Sequence, residues 1–399
     1  MSNWSPQQVH ALDAVGRWLQ TKDKPFFQLA GYAGTGKTTL AKHLASTVKG
    51  PVYFAAYTGK AAHVLTKAGA TNVSTIHKLI YTPKDKSQQR LKDLEAERAK
   101  FMAQSPPPKT LIEKVEAAIH AEKMNLARPM FQLNMESPLF EAALLVVDEY
   151  SMIDEVMGED LLSFKCPILL LGDPGQLPPV KGNSYFTGKP DLLLTEIHRQ
   201  ATDNPIIWMS KEIREGRELR PGTYGESRVV PQARMPREEL AAAVLATDQL
   251  LVGRNATRTS SNGRTRELLK RSSTLPQEGD KLVCLRNNHD IGLLNGQIWR
   301  ARVDSVFDGE HVIMDIESDD SARVEVIAHA DYFHGKQPEY WARKDAEEFD
   351  YGYALTVHKS QGSQWNNVLL FDEWHGKDRR QWLYTAVTRA AERIDIVMM

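Results

Sequence analysis

Short apolar runs alternate with segments of helical period at both ends of this 399-residue chain. FFQLAG (26–31), VYFAAY (52–57), ALLVVDE (143–149) and PILLLGD (167–173) are continuous apolar stretches of strand length, so the pattern predicts buried strands. KTTLAKHLAST and GKAAHVLTKAG lie between them and have the character of helices. Such alternation predicts βαβ units, a mainly parallel sheet and right-handed crossovers. A second α/β region begins near Leu194 and takes in LLVGRN (250–255), VLLF and IDIVM.

Two stretches break the alternation. In residues 84–128, Leu91, Leu94 and Phe101 fall at helical spacing, SPPP (105–108) interrupts, and Leu111, Val115 and Ala118 resume the stripe. Proline stops helices, so a helical hairpin inserted in the first α/β region is expected. Residues 276–349 hold short β-like runs between Asn-Gly, Asp-Gly and Ser-Asp-Asp turns, which predicts a small β-barrel-like (SH3-like) insert in the second region.

Composition narrows the classes. A hydrophobic fraction of 42% and a charged fraction of 25% are those of a soluble globular protein. The 50 Lys+Arg nearly balance 51 Asp+Glu, so a polyanion could be held only in a local groove. Two cysteines, Cys166 and Cys284, argue against a disulfide scaffold or cysteine zinc site and suit a reducing compartment. MSNWSPQQ has no signal-peptide run, and AALLVV (142–147) is too short to cross a bilayer. A cytoplasmic protein without a membrane partner is the expectation.

The chemistry begins at GYAGTGKTT (31–39), which follows a strand and opens a helix as a phosphate loop requires. Gly31, Gly34 and Gly36 let successive N–H groups turn inward on phosphate oxygens. Lys37 should bridge the outer phosphates and Thr38 should ligate Mg²⁺. VVDEYSM (146–152) ends a strand with Asp148, a Mg²⁺ holder, and Glu149, which would orient and deprotonate the attacking water. Together these parts point to nucleoside triphosphate hydrolysis. LLLGDPGQLPPV (169–180) brings Gln176 to the same crevice, and the second region offers Arg199 and Arg389 as candidate arginine fingers.

SPQQ (5–8), GYAGTGKTT, AYTGKAA (56–62), STIHKLI (74–80), VVDEYSM, GDPGQLPPV, LTEIHRQ, LTVHKSQG (355–362) and YTAVTRA (384–390) occur in that order over most of the chain. In this series the chain resembles a superfamily 1 helicase of the B group, in the branch of the RecD and Dda proteins. The resemblance implies two RecA-like motor domains with parallel sheets, at 1–83 with 129–196 and at 197–275 with 350–399. The helical insert (84–128) and the β-rich insert (276–349) would be accessory domains. It implies ATP and Mg²⁺ as cofactors, with nucleotide contacts at Gln8 (to adenine), Gly34, Thr35, Gly36, Lys37, Thr38, Thr39 and Gly362. Gln176, Arg199 and Arg389 would sense the γ-phosphate. Tyr57, Thr58, Thr75, His77, Thr356, His358 and Ser360 would line the single-strand track, with movement from 5′ to 3′. Single-stranded and forked duplex DNA are the implied partners, with single-strand-binding or replisome proteins beside them, and a monomer as the working form.

Several alternatives stay open at this level. In LTVHKSQG, an extended segment would aim His358 and Ser360 at a bound strand, and Lys359 and Gln361 at the cleft between motors. Tyr57 stands where the family usually has proline, and could stack on a base or pack in the core. Trp208, Tyr332, Trp341 and Trp365 are further stacking candidates. The wedge that splits a duplex is either the helical hairpin or the extended RPMFQLN (128–134). An RNA helicase or ribonucleoprotein remodeller, and an ATP-regulated loading module, are the competing functions.

Overall fold

The computed structural model describes residues 4–83, 89–127, 131–178, 184–196, 204–288, 291–319, 321–336, 338 and 346–399. Helix α1 (Pro6–Thr21) starts with a capping box: Ser5 Oγ accepts the Gln8 N–H while Gln8 Oε1 accepts the Ser5 N–H, and Pro6 supplies a preset φ. Then follow β1 (Phe26–Gly31), α2 (Lys37–Thr47), β2 (Val52–Ala56), α3 (Gly59–Lys67), β3 (Val73–Thr75), α4 (Ile76–Ile80) and β4 (Tyr81–Pro83). After them come α5 (Gln89–Met102), α6 (Lys109–Ala127), β5 (Phe131–Leu133), β6 (Leu144–Asp148), α7 (Glu155–Ser163), β7 (Ile168–Gly172) and β8 (Leu192–Leu194).

The first sheet has the order β3-β2-β6-β7-β1-β8, and every pair in it is parallel. Its central strands are buried on both faces, which is why they read as unbroken apolar runs. Leu144 and Val146 enter the core that holds α1 and α2; Leu145 and Val147 enter the core beneath α4 and α7. In a parallel sheet with this winding, loops at the carboxyl ends of the strands form the ligand edge.

Strands β4 and β5 pair antiparallel, Tyr81 opposite Leu133, and α5 and α6 extend from that ribbon. Val115 and Ile119 are buried, and Arg98 Nε bonds Glu116 Oε1 at 2.8 Å across the helix pair. The helical hairpin and the extended segment, alternatives at the level of sequence, are parts of one arm.

The second α/β unit contains α8 (Pro205–Arg214), β9 (Gly222–Tyr224), β10 (Ser227–Pro231), α9 (Arg237–Ala246), β11 (Gln249–Val252) and α10 (Asn255–Leu268). The β-rich insert follows with β12 (Lys281–Cys284), β13 (Ile298–Ala301), β14 (Val306–Phe307), β15 (His311–Ser318), β16 (Arg323–His329) and β17 (Phe349–Tyr351). The unit resumes with β18 (Ala354–Thr356), β19 (Trp365–Asp372), α11 (Arg379–Val387) and β20 (Ala390–Met398). Its sheet runs β18-β11-β19-β20-β10-β9, parallel except for the β9–β10 hairpin.

The insert is an antiparallel sheet whose β15 alternates strictly, with Val312, Met314 and Ile316 inward. A bridge between Ala328 and Glu347 joins the β16 side to the approach of β17, and β17 pairs β12, so the sheet curls into a barrel. Cys166 and Cys284 are buried in separate cores.

Candidate nucleotide cleft and strand groove

Two glycines make the phosphate loop turn: Gly34 has φ 78° and Gly36 φ 77°, left-handed backbone that other residues resist. Gly31 serves a different need. A Cβ there would stand 2.7 Å from Thr35 Oγ1 and 3.1 Å from Lys37 Cγ, so its hydrogen lets the loop close on itself. No side chain caps α2, whose N-cap is Gly36, so its first amides are left to face a ligand. Lys37 opens that helix and its Nζ donates to the Gly31 carbonyl at 2.5 Å and to that of Tyr32 at 3.1 Å. Thr38 is half-buried and Thr39 exposed in the same turn.

Two residues expected to touch nucleotide are engaged in building the loop. Thr35 is 1% exposed, and both its hydroxyl and its N–H donate to the Tyr32 carbonyl, so its side chain shapes the loop rather than facing the mouth. Gln8 is buried; Nε2 donates to the Thr35 carbonyl at 3.0 Å and Oε1 serves the helix cap, which ties α1 to the loop.

At the end of β6, Asp148 Oδ1 accepts the Glu149 N–H at 2.9 Å. Glu149 itself adopts φ 56°, ψ 44°, a left-handed conformation that costs on the order of 1 kcal/mol outside glycine. This turn stops the strand and aims the carboxylate into the cleft. Burial, then the Asp148 charge beside it, pushes the Glu149 carboxyl up to about 7, with Arg389 and Lys37 pulling the other way. Burial also raises Asp148, opposed by Lys37 and by the Glu149 N–H. A carboxyl poised near neutrality is what a general base requires.

Arg389 reaches this cluster from the second unit. It is buried just past α11, and its guanidinium donates to the Thr385 and Ser363 carbonyls and to Thr388 Oγ1, which leaves part of its five-donor fork for the cleft. Its charge is felt by Glu149 and by Lys60 of the first unit. Arg199 lies outside the described residues.

The loop after β7 crosses the seam bodily. Leu177 is fully buried in the second unit's core; its N–H donates to Thr385 Oγ1 at 2.9 Å and its carbonyl accepts Gln361 Nε2 at 3.0 Å. Gln176, next to it, is buried with Oε1 unpartnered among the described residues, as is Oε1 of Gln361. Two orphaned acceptors at one seam are donor-seeking groups. Lys60 completes the contact with its ammonium 4.5 Å from the Trp365 ring centre, so that ring face is already covered.

The segment VHKSQG departs from its expected form. Residues 357–362 turn rather than extend, because Ser360 N–H bonds back to Thr356 and Val357 carbonyls. Ser360 is fully buried with its hydroxyl on the Val357 carbonyl, so it cannot reach a strand phosphate. Lys359 stands among Arg258, Asp350 and Glu348 toward the barrel, not toward the seam. Gly362 (φ 72°) lies against the first unit: a Cβ there would lie 3.1 Å from Ala61 Cβ and 3.3 Å from Thr58 Oγ1, where the two units touch on the groove side. Gln361 faces the seam as expected.

Beside this junction Tyr57, Thr58, Thr75 and His77 line one open groove of about 540 Å³, together with Lys78, Tyr81, Phe131, Asn287 and Asn295. Thr58 and Thr75 occupy similar places, Thr58 two residues past β2 and Thr75 at the end of β3, each capping the next helix through Oγ1. Thr356 ends β18 and accepts the Lys359 N–H in the same manner; His358 is half-buried against Trp374. Neither Thr356 nor His358 is among the residues lining that groove. Tyr57 both packs on the core and lines the groove. His77 forms a ring cluster with Tyr81 (5.0 Å) and Phe131 (5.7 Å), and burial lowers its pKa, which keeps the imidazole neutral.

Tyr81, Phe131, Asn287 and Asn295 were not marked by any motif. Of the other aromatic candidates, Trp208 stacks on Tyr224, Tyr332 is buried in the barrel, and Trp341 lies outside the described residues.

Comparison with known proteins agrees with this layout. A family model described as an AAA domain matches residues 4–230, and one described as a UvrD-like helicase C-terminal domain matches 351–397. The ATP-dependent RecD2 DNA helicase of Deinococcus radiodurans is 26% identical over 398 residues, covering 92% of this chain and 46% of that protein. The chain thus spans about half the length of that relative. Among solved structures, Pif1 helicase from Bacteroides in complex with ADP-AlF3 and ssDNA superposes with TM-score 0.53 at 16% identity, over 96% of this chain and 91% of that one. Pif1 helicase from Candida albicans gives 0.52 at 17% identity, over 100% and 95%. At such identities the structures speak for the fold alone. The chain belongs to the AAA-domain family, with a carboxyl-terminal segment that matches the UvrD-like helicase C-terminal domain.

Proposed function

We propose that the chain is an ATP-dependent DNA helicase that moves 5′ to 3′ on single-stranded DNA and unwinds duplex ahead of it. The observation that carries this reading is the seam: Lys37, Asp148 and Glu149 belong to one unit, Arg389 to the other, and the charges of Lys37 and Arg389 both bear on Glu149. A nucleotide placed there would touch both units, and the γ-phosphate would decide how tightly they close. The groove lined by Tyr57, Thr58, Thr75 and His77 runs along the same strand-end edge, so closure would change the grip on a strand. RecD2 is described as an ATP-dependent DNA helicase, and the Bacteroides Pif1 structure carries ssDNA, which supports the same assignment here.

In this mechanism Lys37 and the first amides of α2 bind the phosphates, and Glu149 takes the proton of the attacking water. Gln176, Arg199 and Arg389 stabilise the charge that develops on the transferred group. Thr38 and Asp148 would hold Mg²⁺, which supplies charge neutralisation between the outer phosphates. Among the described residues no cluster of three or more His, Cys, Asp or Glu could cage a metal, and one hydroxyl with one carboxylate suits an ion that shares its shell with phosphate and water. Residues 1–83 with 129–196, and 197–275 with 350–399, act as the two motors. The arm at 84–128 and the barrel at 276–349 flank the strand. Among the described residues no helix is long and apolar enough to cross a membrane; action as a monomer in the cytoplasm completes the proposal.

The test is ATP hydrolysis with and without single-stranded DNA, then unwinding of forks bearing a 5′ or a 3′ tail. Strong stimulation and a requirement for the 5′ tail are expected. Equal stimulation by RNA and DNA would favour a ribonucleoprotein remodeller, and slow unstimulated hydrolysis would favour a loading module.

A further inference from the structure

The phosphate loop is held from two sides. Its first-unit contacts are those of α1 and α2 described above. The second unit adds two more, both on the residues just before the Gly34 bend. Tyr384 of α11 places its hydroxyl where it accepts the Ala33 N–H at 3.1 Å and donates to Asp173 Oδ2 at 2.7 Å. Gly175 admits the ring, since a Cβ at that position would come within 2.9 Å of it. Burial and the Asp173 charge raise the phenol far above its ordinary pKa, so it remains a neutral donor. Arg214, at the end of α8, lays its guanidinium 3.9 Å from the ring centre of Tyr32, a cation–π contact, and the Tyr32 ring also packs against the second unit's core.

Tyr32 matters because of its carbonyl. That one oxygen accepts from Thr35 Oγ1, Thr35 N–H and Lys37 Nζ. Whatever fixes Tyr32 therefore fixes the loop's internal ties and the resting place of the catalytic ammonium.

We infer that the second unit positions the phosphate loop directly, through Arg214 on Tyr32 and Tyr384 on Ala33, so that cleft closure sets the loop's shape as well as delivering Arg389. This rests on the reading of the chain as a strand-stimulated ATPase. Tyr384, Arg214 and Tyr32 are positioning residues, and they act on the closed state. Nucleotide binds first to the loop of one unit, whereas turnover needs both units. The signature is thus a fall in kcat at nearly constant KM.

The experiment is steady-state hydrolysis by the full chain at saturating oligo(dT), with ATP varied. Tyr384→Phe, which keeps the ring and removes both hydrogen bonds, is expected to lower kcat about tenfold while KM stays within about twofold. Arg214→Gln and Tyr32→Leu should each lower kcat, the double variant should be no worse than the weaker single, and Tyr32→Phe, which keeps the ring face, should match the wild type. Fluorescent ADP binding and a melting curve establish that each variant is folded. Should Tyr384→Phe fail to fold, the Arg214–Tyr32 cycle decides alone. Unchanged kcat in folded Tyr384→Phe, a rise in KM without loss of kcat, or multiplicative effects of Arg214→Gln and Tyr32→Leu would overturn the inference. A stimulated wild type with unaffected variants refutes this inference alone; a wild type that strand does not stimulate refutes the proposed function and the inference together.

Discussion

The cleft and the groove occupy one edge of the molecule and are made of opposite materials. The cleft gathers charge: Lys37, Asp148, Asp173 and Arg389 lie close enough that their fields bear on the Glu149 carboxyl. The groove is almost without charge; beside Lys78 it offers hydroxyls, amides, a neutral imidazole and three aromatic rings. On the proposed function, the difference follows from what each would do. A cleft that senses a γ-phosphate needs poised charges whose balance one added anion upsets. A track that must release each nucleotide needs sequence-tolerant surfaces of modest strength.

Substitutions should therefore separate the two regions. The largest effect is expected for Lys37→Ala, with hydrolysis falling by about 10³ or more while single-strand affinity stays within a few fold. Fluorescence anisotropy with a labelled oligonucleotide checks the second half, and loss of strand binding in a folded variant would merge the two sites.

Next in size is pH. Glu149 must be ionised to act and its carboxyl is pushed up to about 7, so kcat/KM of the free enzyme should fall about tenfold per unit as pH drops below that value. The same shift has a cost in stability. Because the folded value lies above the ordinary 4.5, the penalty for ionising Glu149 grows as pH rises from about 4.5 to about 7 and is full above it. Glu149→Gln should thus melt higher than the wild type at pH 8, by the equivalent of ~3 kcal/mol, and equal to it at pH 4.

Smaller effects belong to the groove. Phe131→Ala removes a ring that is 48% exposed, and should weaken single-strand binding by about 5- to 10-fold, with kcat at saturating strand within twofold, if one base stacks there. Thr75→Val keeps the shape and removes the cap of α4, costing ~1 kcal/mol in the melting curve and little in hydrolysis. A Phe131→Ala chain that binds strand normally would move the track away from the arm.

How legible each region was in the sequence follows the same divide. The first sheet could be read because strands buried on both faces leave unbroken apolar runs, and the phosphate loop because Gly34 and Gly36 must be glycine for a local reason. Tyr384 and Thr385 stood inside a quoted motif, yet their partners Ala33, Asp173 and Leu177 are remote in sequence, so the cross-seam bonds had no local signature. Arg214 and Asn295 carried no signal at all, since an arginine ending a helix and an asparagine in a turn are ordinary. Ser360 misleads because alternation on an extended segment would aim it outward, whereas one backbone turn buries it. Strand β4 escaped because three residues cannot show a period, and its pairing with β5, which lies in the extended RPMFQLN, spans the whole helical arm.

Coupling between cleft and groove is the claim on which the rest depends, and strand affinity measured as a function of nucleotide tests it most directly. Equilibrium binding of a labelled single strand would be followed without nucleotide, with ADP and with a non-hydrolysable ATP analogue, in the wild type and in Arg389→Ala. The account predicts a Kd that shifts by about fivefold or more among the three states in the wild type, and one nearly constant in the variant, whose units no longer share the phosphate. A wild-type Kd that ignores the nucleotide would contradict it.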